Sequence, residues 1–344
     1  MPKVSVIIPT FNSERYLRET LDSVVNQTLQ DIEIIVVDSI SKDATISIVE
    51  EYMSKDSRIK LIRRGKEWVS ASRNAGLKAA TGDYIMFLDS DDWYELNACE
   101  VAYNSILEND YDVVTFSYNE FINGKLQPDY RDIAIKKYLD ENVMPDQFIF
   151  MSVWHNIFKK EFFEKNKISF NKKLITAEDV VLMYTIMLYN PKKTYIKDRL
   201  ITYRKSREGS ATTKQVRGIE FDLIALKEFL KIPLVKAQDD NFKTGIISKW
   251  CGGCTWYYNM FSEPKDLEKL RKDMRNIIKQ LNKNFDKKLL NSNPRYERVV
   301  NIAYKNELSF LEKIFSVKNS ENKSHKVITL LGLKLKIKRK YFKG

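Results

Sequence analysis

Apolar residues follow two rhythms along the chain. Val4–Ile8 and Ile32–Val37 are near-continuous apolar runs, and the segments 59–63, 84–88 and 112–116 repeat the theme. Runs this short and this apolar read as strands buried on both faces of a parallel sheet. Between them, Leu17, Leu21, Val24 and Val25 share one helical face, and Ile46, Val49, Tyr52 and Met53 share another. A third helix is expected over 70–82, with Ser13 placed to cap the first and Gly82 to close the third. The β-α-β alternation predicts an α/β fold, a doubly wound, mostly parallel sheet with right-handed crossovers. From about 217 the pattern turns helical, over 219–230, 239–262 and 264–281, with Pro264 near the start of the last. Leu333, Leu335 and Ile337 then alternate with Lys334, Lys336 and Lys338, which in a strand gives one apolar and one cationic face.

Composition changes this picture little. At 43% apolar and 30% charged, the 344 residues can bury a large core. No apolar run approaches the roughly 18–20 residues that span a bilayer, and the N-terminal run is too short for a signal sequence, so a cytoplasmic protein is expected. Cys251 and Cys254 form a CxxC in a helix-like aromatic stretch, with only His155 and His325 available to complete a zinc site. A reduced structural pair is expected there. Charge is uneven: residues 323–343 carry seven lysines and one arginine without an acid, so the first 322 residues hold only 4 of the net +12. A basic tail implies a local anionic partner rather than a nucleic-acid groove.

In sheets of this kind ligands sit beyond the carboxyl ends of the strands. Those ends carry PTFN (9–12), Asp38 and DSDD (89–92), with no glycine-rich phosphate cradle. Asp89 and Asp91 lie two apart and point the same way in an extended chain. Such a pair suits one ribose hydroxyl and one Mg²⁺ or Mn²⁺ completed by pyrophosphate oxygens. The alternative is that Asp91 or Asp92 caps a helix starting near Glu95. Farther on, Thr176-x-x-Asp179 reads either as a capping box or as a catalytic carboxylate at a helix start.

The segments VSVIIPTFNSERYLRETLDSVVNQTLQDIEIIVVDSISKDAT and SASRNAGLKAATGDYIMFLDSDDW resemble glycosyltransferase family 2, whose fold is called GT-A, and the likeness extends over roughly 3–215. It implies a nucleotide-sugar-binding half (1–120), an acceptor-binding and catalytic half (121–216), a helical region (217–315) and a basic tail (316–344). By the same resemblance Pro9, Phe11, Asn12 and Glu14 lie by the base and ribose, Asp38 reads the uracil edge, and Arg73 sits near base and phosphates. Asp89 and Ser90 contact the nucleotide and Asp91 holds the metal. TAEDVVLMY (176–184) matches the family's ED motif, making Asp179 the general base and Glu178 an acceptor-orienting acid. SVWHNIFKKEFF resembles the family's WNKLFKK stretch, with Trp154 as a sugar platform. Arg207 and Ser210 fall in a loop that closes over the diphosphate. The chain departs from the family at Ser39 and Ile40, where an acid and a glycine are usual, and at Lys66 and Trp68 in place of Asn and Gly.

The activity implied is a metal-dependent inverting transfer of a hexose from a UDP-sugar to a saccharide hydroxyl in bacterial surface glycan synthesis. The acceptor would be a saccharide or lipid-linked saccharide, with residues 323–344 on the anionic cytoplasmic face of the inner membrane. Two readings compete. A nucleotidyltransferase would share the sheet and acids but bring a glycine-rich basic first loop, which PTFNSE is not. A non-catalytic binding module is suggested by the altered DSISKDAT.

Overall fold

A computed structural model describes residues 2–65, 68–128, 152–205, 219–260, 264–304, 315–319, 325–330 and 333–338. The apolar runs become strands. β1 (Val4–Thr10) and β2 (Ile32–Asp38) are buried along their whole lengths, and β3 (Ile59–Arg63) and β4 (Tyr84–Phe87) flank them. Helices α1 (Leu17–Val25), α2 (Thr45–Met53) and α3 (Val69–Ala79) make the crossovers. The short β5 (Trp93–Tyr94) and helix α4 (Ala98–Leu107) lead to β6 (Val113–Ile122), which hairpins into β7 (Lys125–Pro128). β8 (Asn156–Lys159) and β9 (Lys193–Arg204) complete the sheet.

The strand order is β3-β2-β1-β4-β8-β6-β9-β5, with β7 on β6. β3, β2, β1 and β4 are parallel, whereas β8 is wedged antiparallel between β4 and β6. β6 runs through residue 120, so the two expected halves share one sheet. Crossovers leave β1 towards β2 and return from β3 to β4, so the chain reverses direction between β1 and β4. A ligand crevice opens at such a reversal.

One face of the sheet packs Leu17, Ile48 and Ala102 from α1, α2 and α4. The other carries the later helices: Ile7 and Phe87 belong to the same core as Trp250, Met274 and Val299. These last residues come from helices Asp240–Met260, Pro264–Asn284 and Pro294–Tyr304. Cys251 and Cys254 lie inside this core as free thiols, and burial pushes the Cys251 thiol up to about 12. His155 is buried too, its ring edge-on to Tyr118. Beyond the helices, β10 (Phe315–Asn319), β11 (His325–Leu330) and β12 (Leu333–Lys338) form a separate antiparallel sheet. Among the described residues no helix is long and apolar enough to cross a membrane.

Three terminus signals are used differently from expectation. Ser13 does not cap α1; its carbonyl accepts from Tyr16 and Leu17, while its hydroxyl faces Ser90. α3 ends at Ala79, and Gly82 serves close approach instead: a Cβ there would stand 2.8 Å from Ser5 Oγ and 2.9 Å from Ser5 N. Asp91 and Asp92 start no helix, because the chain enters β5 directly.

β2 also buries a charge, Glu33, which is only 3% exposed. Its carboxylate accepts from Ser5 Oγ at 2.6 Å, from the Thr81 amide at 2.6 Å and from Lys60 at 2.7 Å. Burial alone would raise this group, but those donors outweigh it and hold it at about 2. The folded value lies below the unfolded 4.5, so the stabilisation is complete above that pH and lost as pH falls through about 2. Glu33→Gln is expected to cost about 2–3 kcal/mol at pH 7 and roughly half that at pH 3, measured by urea unfolding. A gap that stays constant across that range would contradict the clamp.

Candidate active site

The loop after β1 is sewn to the loop after β2. The Asn12 amide donates to Ser41 Oγ (2.8 Å), and Asn12 Oδ1 accepts from the Lys42 amide (2.8 Å). The Ser13 and Glu14 amides donate to Thr45 Oγ1 (2.7 Å) and Asp43 Oδ2 (3.1 Å), while Glu14 Oε2 accepts from the Ala44 amide (2.7 Å). Asp38, fully buried, accepts from Thr10 Oγ1, Ser41 Oγ and the Ser41 amide. The polar atoms of Asn12, Glu14 and Asp38 thus fasten two loops, and Asp38 is closed to solvent. Pro9 is buried at the tip of β1, and Phe11 projects from this platform, 57% exposed.

At the tip of β4 the three aspartates diverge, which relieves their mutual repulsion. Asp89 Oδ1 takes Arg73 Nη2 at 2.7 Å, and Asp92, buried, accepts the Arg204 amide at 2.8 Å. Asp91 lines a cleft with Asn12, Glu14, Tyr16, Asp43 and Ser90. Ser90 Oγ lies 2.7 Å from Ser13 Oγ, tying this lip to the β1 loop. Among the described residues no group of three or more His, Cys, Asp or Glu side chains is placed to hold a metal ion. Asp91 shares that cleft with Glu14 and Asp43, and a hard carboxylate there fits Mg²⁺ or Mn²⁺, which take one or two protein carboxylates and complete their shell with water and substrate phosphates.

Arg204 was not among the residues singled out from sequence, yet it holds this lip. Its guanidinium lies 4.8 Å from the Tyr16 ring, 4.7 Å from Trp93 and 5.1 Å from Phe121, and pairs with Glu19. Its Nε donates to the Asp91 carbonyl at 3.0 Å. An arginine at the end of a strand, next to Tyr203, was the available signal.

Arg73, on α3, is the hub of the site. It is 4% exposed, donates from Nη1 to Glu178 Oε1 at 2.6 Å and from Nη2 to Asp89, and lies over the Phe170 ring at 5.5 Å. Burial would lower its pKa, but Asp89, Glu178 and Asp179 together raise it above the ordinary value. Both ends of the fork are therefore occupied by acids. Glu178 is buried against Arg73. Asp179 follows it at the start of helix Glu178–Leu188, half-buried, with Oδ1 accepting its neighbour's amide. The capping box does not form, because Ala177 occupies the N-cap in a left-handed conformation (φ 59°). Trp154 is buried and stacked on Tyr203 at 5.2 Å. Arg207 and Ser210 lie outside the described residues. The structure thus brings Arg73, Asp89, Glu178 and Asp179 together and sets Ser90 and Asp91 beside the β1 loop.

Comparison with known proteins bears on this arrangement. The family model described as glycosyl transferase family 2 matches residues 5–167. Glycosyltransferase GlyA of Streptococcus pneumoniae is 33% identical over 220 residues, 60% of this chain and 31% of GlyA. The GalNAc(5)-diNAcBac-PP-undecaprenol beta-1,3-glucosyltransferase of Campylobacter jejuni is 27% identical over 91% of this chain and 98% of its own length. The chain spans 31 to 61% of the length of three of the curated relatives it matches. S. aureus TarS 1-349, solved with UDP-GlcNAc, superposes with a TM-score of 0.71 at 19% identity, covering 98% of this chain and 99% of that one. The fold is therefore GT-A, and residues 5–167 are similar to glycosyl transferase family 2.

Proposed function

We propose that the chain is a metal-dependent inverting glycosyltransferase that moves a hexose from a UDP-sugar to a hydroxyl of a saccharide acceptor in the synthesis of a bacterial surface glycan. The observation that carries this reading is the charged bridge from the acidic lip to Asp179. Arg73 ties Asp89, at the tip of β4, to Glu178, and Asp179 is the next residue. A donor held at the lip and an acceptor base are thereby kept in one rigid frame.

Asp179 takes the proton of the acceptor hydroxyl as its oxygen attacks the anomeric carbon from the face opposite the diphosphate. The new C–O bond forms as the bond to the phosphate oxygen breaks, and the nucleoside diphosphate leaves. Asp91 would hold the divalent cation, which would supply charge neutralisation at the leaving group. Asp89 and Ser90 face the nucleotide, with Phe11 and Pro9 beside the base. Arg207 and Ser210 are assigned to the diphosphate by their place in the sequence after β9. The UDP-GlcNAc in the TarS structure supports the donor class, and the undecaprenol named for the Campylobacter enzyme supports a lipid-linked acceptor. The basic residues of 323–344 suit an anionic leaflet beside such a substrate.

The test is a donor screen with the full chain, reading release of free nucleotide with Mn²⁺, with Mg²⁺ and after chelation. Metal-dependent release of UDP from one UDP-sugar is expected. Pyrophosphate as product would instead support nucleotidyl transfer, and failure to bind or cleave any nucleotide-sugar would overturn the reading.

A further inference from the structure

The segment that carries Asp91 has little secondary structure of its own to hold it. β4 ends at Phe87 and β5 is only two residues long, so Leu88–Asp92 lies between them as a turn, with the Asp92 amide donating to the Asp89 carbonyl at 3.1 Å. A side chain can be aimed only as firmly as the backbone beneath it.

The end of β9 supplies that firmness. Trp93 and Tyr94 pair with Thr202 and Ile201, and Arg204 then reaches back along the turn. Its amide donates to Asp92 Oδ1 at 2.8 Å, its Nε to the Asp91 carbonyl at 3.0 Å, and its guanidinium lies 4.7 Å from the Trp93 ring. Three successive residues are thus held by one. On its other side the guanidinium pairs with Glu19 of α1 and lies 4.8 Å from the Tyr16 ring. Tyr16 lines the same cleft as Asp91. The Thr20 hydroxyl adds a second tie from α1, donating to the Asp92 carbonyl at 2.8 Å.

Packing alone does not explain an arginine here. Its side chain is 12% exposed, and an apolar residue could fill the space between three rings without desolvating a charge. What an apolar residue lacks is a planar fork that donates from Nε to one partner and from a terminal nitrogen to another. Those donations fix a direction for the turn.

We infer that Arg204 is the positioning residue of the metal carboxylate, holding the backbone of Asp91, the carboxylate of Asp92 and the ring of Trp93 so that the Asp91 side chain is aimed at a cation in the cleft. The inference rests on the metal-dependent donor reading and adds to it a residue that acts through Asp91 rather than on the nucleotide. Such outer partners set how well a metal ligand is oriented.

The test is Mn²⁺ binding to the full chain at saturating UDP, followed by loss of the free Mn²⁺ electron paramagnetic resonance signal, with thermal melting alongside. Wild type is expected to show a UDP-linked Mn²⁺ site that Asp91→Asn loses. Arg204→Met is expected to bind Mn²⁺ about tenfold more weakly while its affinity for UDP in chelator stays within about twofold of wild type. Arg204→Lys keeps the charge beside Glu19 but not the fork, and should bind Mn²⁺ about threefold more weakly. It decides the matter alone if Arg204→Met does not fold. A lowered melting temperature with unchanged Mn²⁺ affinity overturns the positioning role and leaves the donor reading intact. So does a loss of UDP affinity in chelator as large as the loss for Mn²⁺. Wild type without a UDP-linked Mn²⁺ site, or Asp91→Asn that keeps it, overturns the metal reading and the positioning role with it.

Discussion

Asp179→Asn is expected to lower the turnover of sugar transfer by about 10²–10⁴-fold while leaving the affinity for UDP and Mn²⁺ within about twofold of wild type. The substitution keeps the shape of the side chain and the acceptor oxygen that receives the Val180 amide, so the start of the helix should persist. What it removes is the ability to take a proton. The donor end should hardly notice, because the two hydrogen bonds from Arg73 go to Asp89 and Glu178 rather than to Asp179. Single-turnover kinetics with saturating donor would isolate the effect, since a lost general base lowers the chemical step without raising the donor KM. Near-normal turnover, or a large loss of nucleotide affinity, would move the base elsewhere in the site.

The frame around this residue was legible in the sequence for simple reasons. Strands buried on both faces must be apolar throughout, so Val4–Ile8 and Ile32–Val37 could be read directly, and parallel strands deliver their tips to one edge. The acids at 89–92 were therefore placed correctly beside the loop at 9–14. What the sequence does not encode locally is which partner a polar atom takes. Asn12, Glu14 and Asp38 have the residue types of ligand contacts, yet each finds donors on the neighbouring loop some 28–30 positions away. Arg204 and Asp92 are 112 residues apart, and only the return of β9 past β5 makes them neighbours. The left-handed Ala177 likewise depends on how the chain enters its helix, and no single-residue preference announces it. Glu33 was passed over for the opposite reason: a charge inside an apolar run reads as an interruption, and its donors come from β1, β3 and the turn before β4.

Arg73→Met should be the most damaging single substitution for the fold of the site. It keeps much of the side-chain volume against Phe170 but leaves Glu178 buried beside Asp89 with no cation between them. Removing one member of a buried ion pair costs about 3–5 kcal/mol, mostly because the remaining charge is stranded. Asp89 retains some access to solvent and can relax, which places the expected cost nearer 3 kcal/mol. Transfer activity should fall with it, because Asp179 is held next to an acid that no longer has its anchor. The double variant Arg73→Met with Glu178→Gln separates the two effects. Neutralising the stranded acid should recover more than 1 kcal/mol of stability in urea unfolding, a coupling expected only of residues in direct contact. Activity should stay low, since neither variant restores the bridge between the donor lip and the acceptor base. A single variant that costs less than about 1 kcal/mol, or a double variant no more stable than the single, would mean that Arg73 does not bind its acids as a buried hub.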